Sequence, residues 1–316
     1  MRRIVATDAD GRLRPLSAPV KNAWVHLEAP APEELEATAR ETRVPEAVLA
    51  SVLDPDERPR AERRGEAAVV IVHVPVPAGE EDVPREDGPL FRLRPLAIVH
   101  APDHLITVAG APVPLLEPFL TGAVGGFGSH MKTRITLLVL AAVAEAFLQA
   151  VRAVQKEVEA AERDLARAYA NRELYRLFAA GETFIFLETS LAEMRAALRK
   201  IAAGDVIRLY PDDGDLLEDV AIDLEQAYGA VEVHHRKLVN VMDAYGNIIQ
   251  INVNAVLKLL TAVTVLLSVP ILIASALSMN VPFFLFDRPD GFIAALMLIV
   301  GATATVAAVF WRLRFF

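Results

Sequence analysis

The sequence predicts an α+β membrane protein: an N-terminal cytoplasmic α/β domain, then long helices, then two C-terminal transmembrane helices. Three observations predict it. Two almost uncharged stretches close the chain, a long run poor in helix breakers leads into them, and residues 1–110 mix short β-like runs with helical ones. The 316 residues suit about two domains. With 53% hydrophobic residues and a mean hydropathy of +0.34, the chain is too apolar for disorder and unlike an ordinary soluble protein. The absence of cysteine excludes a disulfide scaffold, a thiolate zinc site and a cysteine nucleophile. A net charge of −9 argues against a nucleic-acid partner, because phosphate binding needs clustered Lys and Arg, and favours cations.

The elements follow in order. The start, Met1 to Asp8, lacks the apolar core of a signal peptide. Ala23 to Leu27 reads as a short strand, and Pro32-Glu33-Glu34-Leu35 opens a helix with proline and acids in its first turn. Val69 to Val74, Leu96 to Val99 and Leu105 to Val108 read as buried strands, the last two joined by a turn at Pro102-Asp103. Pro77 to Pro89 is acidic and proline-rich, an expected loop. The glycines of Gly122 to Gly128 are not followed by the Gly-Lys-Ser/Thr of a phosphate loop, so a connector is expected there. Helices are expected over Met131 to Ala170 and Asn171 to Ala203, with a bend at Gly204 and Pro211 to Gly214. From Asp215 to Met279 only Pro270, Gly229 and Gly246 interrupt a helical pattern. One helix of that length would reach about 95 Å. The resulting domains are 1–125, 126–252 and 253–316, with spans at about 255–279 and 291–311.

Ala255 to Phe286 carries one charge, Lys258, and Gly291 to Trp311 carries none. Each can cross a hydrocarbon core, which takes about 20 helical residues. Basic residues flank the pair on one side: Arg236, Lys237 and Lys258 before, Arg312 and Arg314 after. The turn between holds only Arg288, flanked by Asp287 and Asp290. Both termini are therefore expected in the cytoplasm, in a multi-pass protein of the cell (inner) membrane.

The first span carries a polar stripe. Thr261, Thr264, Ser268, Ser275 and Ser278 are spaced by three, four, seven and three. At about 100° per residue they share one sector, and the same face extended backwards meets Asn254, Gln250, Asn247 and Asp243. Two readings compete. Hydroxyls in membranes bond back to their own helix or support close packing. A stripe running from an acid to the far end of the span instead suggests a face turned to water. The second reading is preferred, and it requires several copies around an axis, since two spans enclose nothing. Neutral oxygens without a central ring of charge suit a hard cation that keeps its waters, as magnesium does. Leu257, Leu260 and Ile271 lie on or near this face as apolar constrictions.

These residues resemble the CorA family of divalent-cation transporters. Asn254-Ala255-Val256-Leu257-Lys258-Leu259-Leu260-Thr261 looks like the family's pore-helix entrance, and Ser278-Met279-Asn280 stands where the family has Gly-Met-Asn. Trp24 to Leu27 and Leu105 to Val108 are similar to family strands. The resemblance implies a homopentamer in a lipid bilayer, moving divalent cations with Mg²⁺ foremost and Co²⁺ or Ni²⁺ beside it. It implies no catalytic cofactor; the metal is cargo and regulator. Asn280 would sit in the outer ring, Asn254 in an inner polar ring, Leu257 and Leu260 near the hydrophobic gate, and Asp243 at the cytosolic end. Asp219 matches a family aspartate that binds a regulatory metal between subunits. Two departures stand out: Ser278 replaces the glycine, and Val281 to Phe286 is apolar where the family often has an acid. A Zn²⁺ transporter of the ZntB type, proton-coupled, is the alternative, and a membrane metal sensor without transport a second one.

The remaining candidates weigh less. Asp219 lies among Asp212, Asp213, Asp215, Glu218, Asp223 and Glu225, which also reads as a solvated acidic face. Adjacent His234 and His235 point about 100° apart on a helix and cannot share an ion, so a wet face is expected. His26, His73, His100 and His104 have no ligand spacing and read as structural. No catalytic constellation stands out.

Overall fold

The structure, a computed structural model, describes residues 1–79, 88–165, 171–279 and 290–313. The chain divides into two compact units, Met1–Val239 and Asn240–Phe316.

The first unit is built on strands β1 (Arg2–Thr7), β2 (Leu13–Pro15), β3 (Trp24–Glu28), β4 (Arg60–Arg64), β5 (Ala67–Pro77), β6 (Phe91–His100) and β7 (Leu105–Ala109). They form one sheet in the order β2-β1-β3-β7-β6-β5-β4. All neighbours are antiparallel except β3 and β7, which pair in parallel with Val25 opposite Ile106. The central strands are nearly continuous runs of Val, Ile, Leu and Ala, and both of their faces are buried. Against one face pack α1 (Pro32–Thr42) and α2 (Glu46–Ala50): Leu35, Val48 and Leu49 join Val25, Val69, Ile71, Val99 and Ile106 in one core. The opposite face meets the long helices after the short α3 (Glu117–Leu120), namely α4 (Lys132–Leu165) and α5 (Asn171–Ala202). The expected helix to Ala170 is thus seen to Leu165, and 166–170 lie outside the described residues, as does 80–87 of the expected acidic loop.

Three strands escaped the sequence reading: β1, β2 and β4. β1 begins with two arginines, and β4 reads Arg-Ala-Glu-Arg-Arg at a sheet edge, where charge discourages further pairing. Neither shows the apolar run that gave β5 and β7 away.

Gly204 takes a left-handed backbone, φ 77°, which ends α5 without the steric penalty a side chain would add. Beyond it α6 runs from Gly214 to Leu277, 64 residues, contributing its earlier part to the first unit and the remainder to the second. In the first unit its buried residues are Val220, Leu224, Ala227, Val231 and Leu238, a three-four repeat. The second unit adds α7 (Gly291–Arg312).

Among the described residues three helices are long and apolar enough to cross a membrane: α4, α6 and α7. Sequence reading singled out only the last two. Half of the apolar stretch of α4 is buried within the first unit, against 6% for α6 and none for α7. The apolar residues of α4 are therefore spent on the protein core, where Phe147 and Val143 are fully buried.

Candidate functional site

The stripe is read within the second unit. Asp243, Asn247, Gln250, Asn254, Leu257, Leu260, Thr261, Thr264, Ser268, Ile271 and Ser275 all lie on α6 and all are exposed. Ser278 and Met279 follow in a turn after Leu277, also exposed, while Asn280 lies outside the described residues. Ala262 is fully buried, and Leu266, Val269, Pro270, Ile273 and Leu277 on its side are half-buried. That side lies roughly 150° around the helix from the stripe. The stripe thus lies on α6 opposite the side this unit covers, and Val263, Leu267 and Ala274 outside it are exposed as well.

The hydroxyls bond to their own helix. Thr261 Oγ1 donates to the Leu257 carbonyl and Thr264 Oγ1 to that of Leu260, each at 2.8 Å; Ser268 Oγ donates to Thr264 at 2.7 Å and Ser278 Oγ to Ser275 at 2.8 Å. This back-bonding belongs to the plainer of the two readings, and it has a consequence for the other. Each hydroxyl has one proton, and that proton is committed inward. What remains on the exposed side is oxygen lone pairs, which accept from water or face a cation. Gln250 Nε2 donates to Asn254 Oδ1 at 3.4 Å, tying the amides into an i,i+4 pair. Pro270 has no N–H, so the Leu266 carbonyl lacks its usual helical donor and adds another acceptor within the span.

Asp219 belongs to the first unit and is exposed on α6. Asp215, Asp219 and Asp223 follow at four-residue steps, so three like charges stack along one helix side, each pair mildly unfavourable. The acidic cluster is not uniformly solvated. Asp213 is buried with Arg134 Nη1 at 3.2 Å, and Glu225 pairs with Arg195 at 2.5 Å. Among the described residues no three His, Cys, Asp or Glu side chains are grouped to hold a metal.

The wet face expected at His234 and His235 is not what the structure shows. Both are half-buried; His234 stacks on Phe184 with ring centres 6.4 Å apart, and His235 Nδ1 lies 2.9 Å from Glu188 Oε2. Their neighbours come from α5, which local periodicity cannot reveal. The other histidines are built into the first unit. His26 Nδ1 and Trp24 Nε1 meet the Thr107 hydroxyl, each at 2.9 Å. His73 bridges Ser190 and the Glu57 carbonyl, and His100 bonds Thr136. Burial pushes His26 and His73 down to about 4 and His100 to about 3.

The family model described as "CorA-like Mg2+ transporter protein" matches residues 21–314. The cobalt/magnesium transport protein CorA of Methanocaldococcus jannaschii is 23% identical over 288 residues, spanning 88% of this chain and 86% of that protein. The complete structure of that organism's CorA magnesium transporter superposes with a TM-score of 0.83 at 19% identity, covering 99% of this chain and 98% of the other. The ZntB cytoplasmic domain from Vibrio parahaemolyticus gives 0.62 at 12% identity, covering 78% of this chain and 96% of the domain. The full-length CorA likeness supports the fold of α/β domain, long helices and apolar C-terminal helices, and the ZntB domain supports the part that precedes those last helices.

Proposed function

The chain belongs to the CorA-like Mg2+ transporter protein family, and on that premise we propose that it is a homopentameric, channel-like transporter of divalent cations, Mg²⁺ foremost with Co²⁺ and Ni²⁺ beside it. The observation that carries this reading is the uncovered stripe of acceptor oxygens on α6, from Asp243 to Ser278, in an otherwise apolar span. A hydrated Mg²⁺ presents water hydrogens outward, and a wall of lone pairs receives them without stripping the shell. Asn280 and Ser278-Met279 form the outer mouth in this reading. Asn254 makes the inner polar ring, Leu257, Leu260 and Ile271 the apolar constrictions, and Asp243 the cytosolic end. Both termini are cytoplasmic.

Uptake runs down the electrochemical gradient. A doubly charged ion gains about 4.6 kcal/mol per 100 mV, twice the single-charge value. Asp219 binds a regulatory divalent ion whose other ligands come from a second copy, which accounts for the unrelieved Asp215-Asp219-Asp223 ladder. No reaction is catalysed; the metal is cargo and regulator.

The test is ion flux into proteoliposomes, with Mg²⁺ and Zn²⁺ compared under an imposed voltage and then under a pH gradient. Voltage-driven Mg²⁺ uptake is expected. Zinc uptake that follows the pH gradient would make the chain a ZntB-type transporter, and metal binding without flux of either ion would make it a sensor.

A further inference from the structure

Four separate segments of the first unit close around a cavity of about 230 Å³. They are the β4–β5 hairpin, the end of β6, the start of α4 and the segment linking α5 to α6. The cavity is lined by Arg63, Lys132 and Arg208, with His130 and Tyr210 beside them and one carboxylate, Glu66.

Among the described residues none of the three cations has a carboxylate within ion-pair distance. Lys132 Nζ is held by the carbonyls of Ala101 and Pro102 at 2.7 and 3.0 Å. Arg63 Nη1 reaches the Val206 carbonyl at 3.4 Å, and the Arg208 guanidinium lies 5.3 Å from the centre of the Tyr210 ring. These contacts orient the cations without pairing any of them directly to a carboxylate. Several arginines elsewhere in the first unit do have carboxylate partners: Arg60 with Glu57 and Glu62, Arg176 with Glu157 and Asp164, Arg195 with Glu225. In a chain of net charge −9 with 41 acids to 32 bases, three such cations around one hollow are conspicuous.

Two further features add to the positive potential. The cavity opens at the N-terminal end of α4, a 34-residue helix whose dipole favours an anion there. Half-burial presses the Lys132 ammonium towards its neutral form, opposed by the more distant Asp103 carboxylate, so an anion at this point would relieve a strained charge.

We propose that this cavity is a binding site for an oligophosphate, either free or as the phosphate tail of a nucleotide. Two guanidiniums offer paired donors to adjacent phosphates, and the lysine supplies a point charge between them. The volume falls below the roughly 300–1,000 Å³ usual for drug-sized ligands, so it takes the phosphates of a nucleotide and not its whole body. The site is independent of the ion path.

The test is isothermal titration calorimetry on the purified full chain, dialysed free of divalent metal and held at constant ionic strength. The probes are inorganic phosphate, pyrophosphate and ATP. Pyrophosphate is expected to bind saturably, and Arg63→Gln with Arg208→Gln to weaken it by about ten-fold or more, the scale of a lost charge-assisted contact. Arg152→Gln, on the same helix about 30 Å from Lys132, is expected to leave binding unchanged. Lys132→Gln should act like the double variant; if it unfolds, the arginine pair alone decides. ATP and pyrophosphate binding equally would assign recognition to the phosphates, and tighter ATP binding would add its nucleoside; both support the proposal. No saturable binding of any probe, or binding equal in all variants, would overturn it.

Discussion

The two units handle the same residue types in opposite ways. In Met1–Val239 a large set of Val, Ile, Leu and Phe side chains is buried, and polar groups such as Trp24 Nε1 and His26 Nδ1 meet the Thr107 hydroxyl among them. In Asn240–Phe316, Ala262 is the only buried residue among those described, while Phe292 and Trp311 are each 80% exposed. Water cannot be the solvent for both. The first unit carries its own core. The second has apolar surface that only lipid or another copy can cover, together with one polar side that neither would favour unless water reaches it. The difference separates residues that hold the fold from those the proposed transport would use.

That contrast can be broken by mutation, and the largest effect belongs to the first unit. The chain has two tryptophans, Trp24 in the first core and Trp311 on α7, so Trp311→Phe leaves Trp24 as sole fluorescent reporter of the first unit. In that background Phe147→Ala should lower stability to urea by about 3–5 kcal/mol, the usual result of emptying a packed aromatic site. Val263→Ala, on exposed α6, should change it by less than about 0.5 kcal/mol. Equal losses would mean that α6 is buried against protein there.

A second prediction concerns pH. His26, His73 and His100 are neutral when folded because burial lowers their proton affinity. The unfolded chain takes up their protons as pH falls through 6.5, the ordinary histidine value. Stability is therefore full above that pH and declines between 6.5 and about 4, by up to about 1.4 kcal/mol per pH unit for each histidine. It should level off for His26 and His73 below about 4. Urea midpoints read from Trp24 across that range check it, and His73→Gln should flatten the slope; a pH-independent midpoint contradicts it.

The third prediction turns to the stripe. Thr264→Val keeps the shape and removes an outward oxygen, so Mg²⁺ flux should fall by about ten-fold, equal to about 1.4 kcal/mol on the barrier. The Trp24 urea midpoint should not move; unchanged flux would place Thr264 off the ion path. Smallest of all is the exposed pair Arg40–Glu36, 2.8 Å apart. Arg40→Ala should change stability by less than about 0.5 kcal/mol in the same urea titration, and a larger loss would show an energetic role for that pair.

How much of this was legible in the sequence depended on whether the signal was local. The apolar runs of β5, β6 and β7, the spans and the unbroken course of α6 are periodic within a few turns and were read directly. So was the stripe, because its spacing lies on one helix. β1 and β4 were missed because arginines mask a strand whose partners lie elsewhere in sequence. His234 and His235 were misjudged because Phe184 and Glu188 stand about 50 residues away on α5, a distance no periodicity crosses. The cluster of Arg63, Lys132 and Arg208 left no motif at all, since three different segments contribute it and only the sheet and α4 bring them together.

The proposed transport requires the stripe to face water in the membrane. The chain has no cysteine, so single cysteines can be placed without further substitution. Thr264→Cys, Ser268→Cys and Ser275→Cys on the stripe would be compared with Val263→Cys and Ala274→Cys away from it, in proteoliposomes, for reaction with a charged, water-soluble thiol reagent. The three stripe cysteines are expected to react and the other two to stay unmodified. Five equally unreactive cysteines, or reaction that ignores the stripe, would contradict it and return the hydroxyls to helix packing.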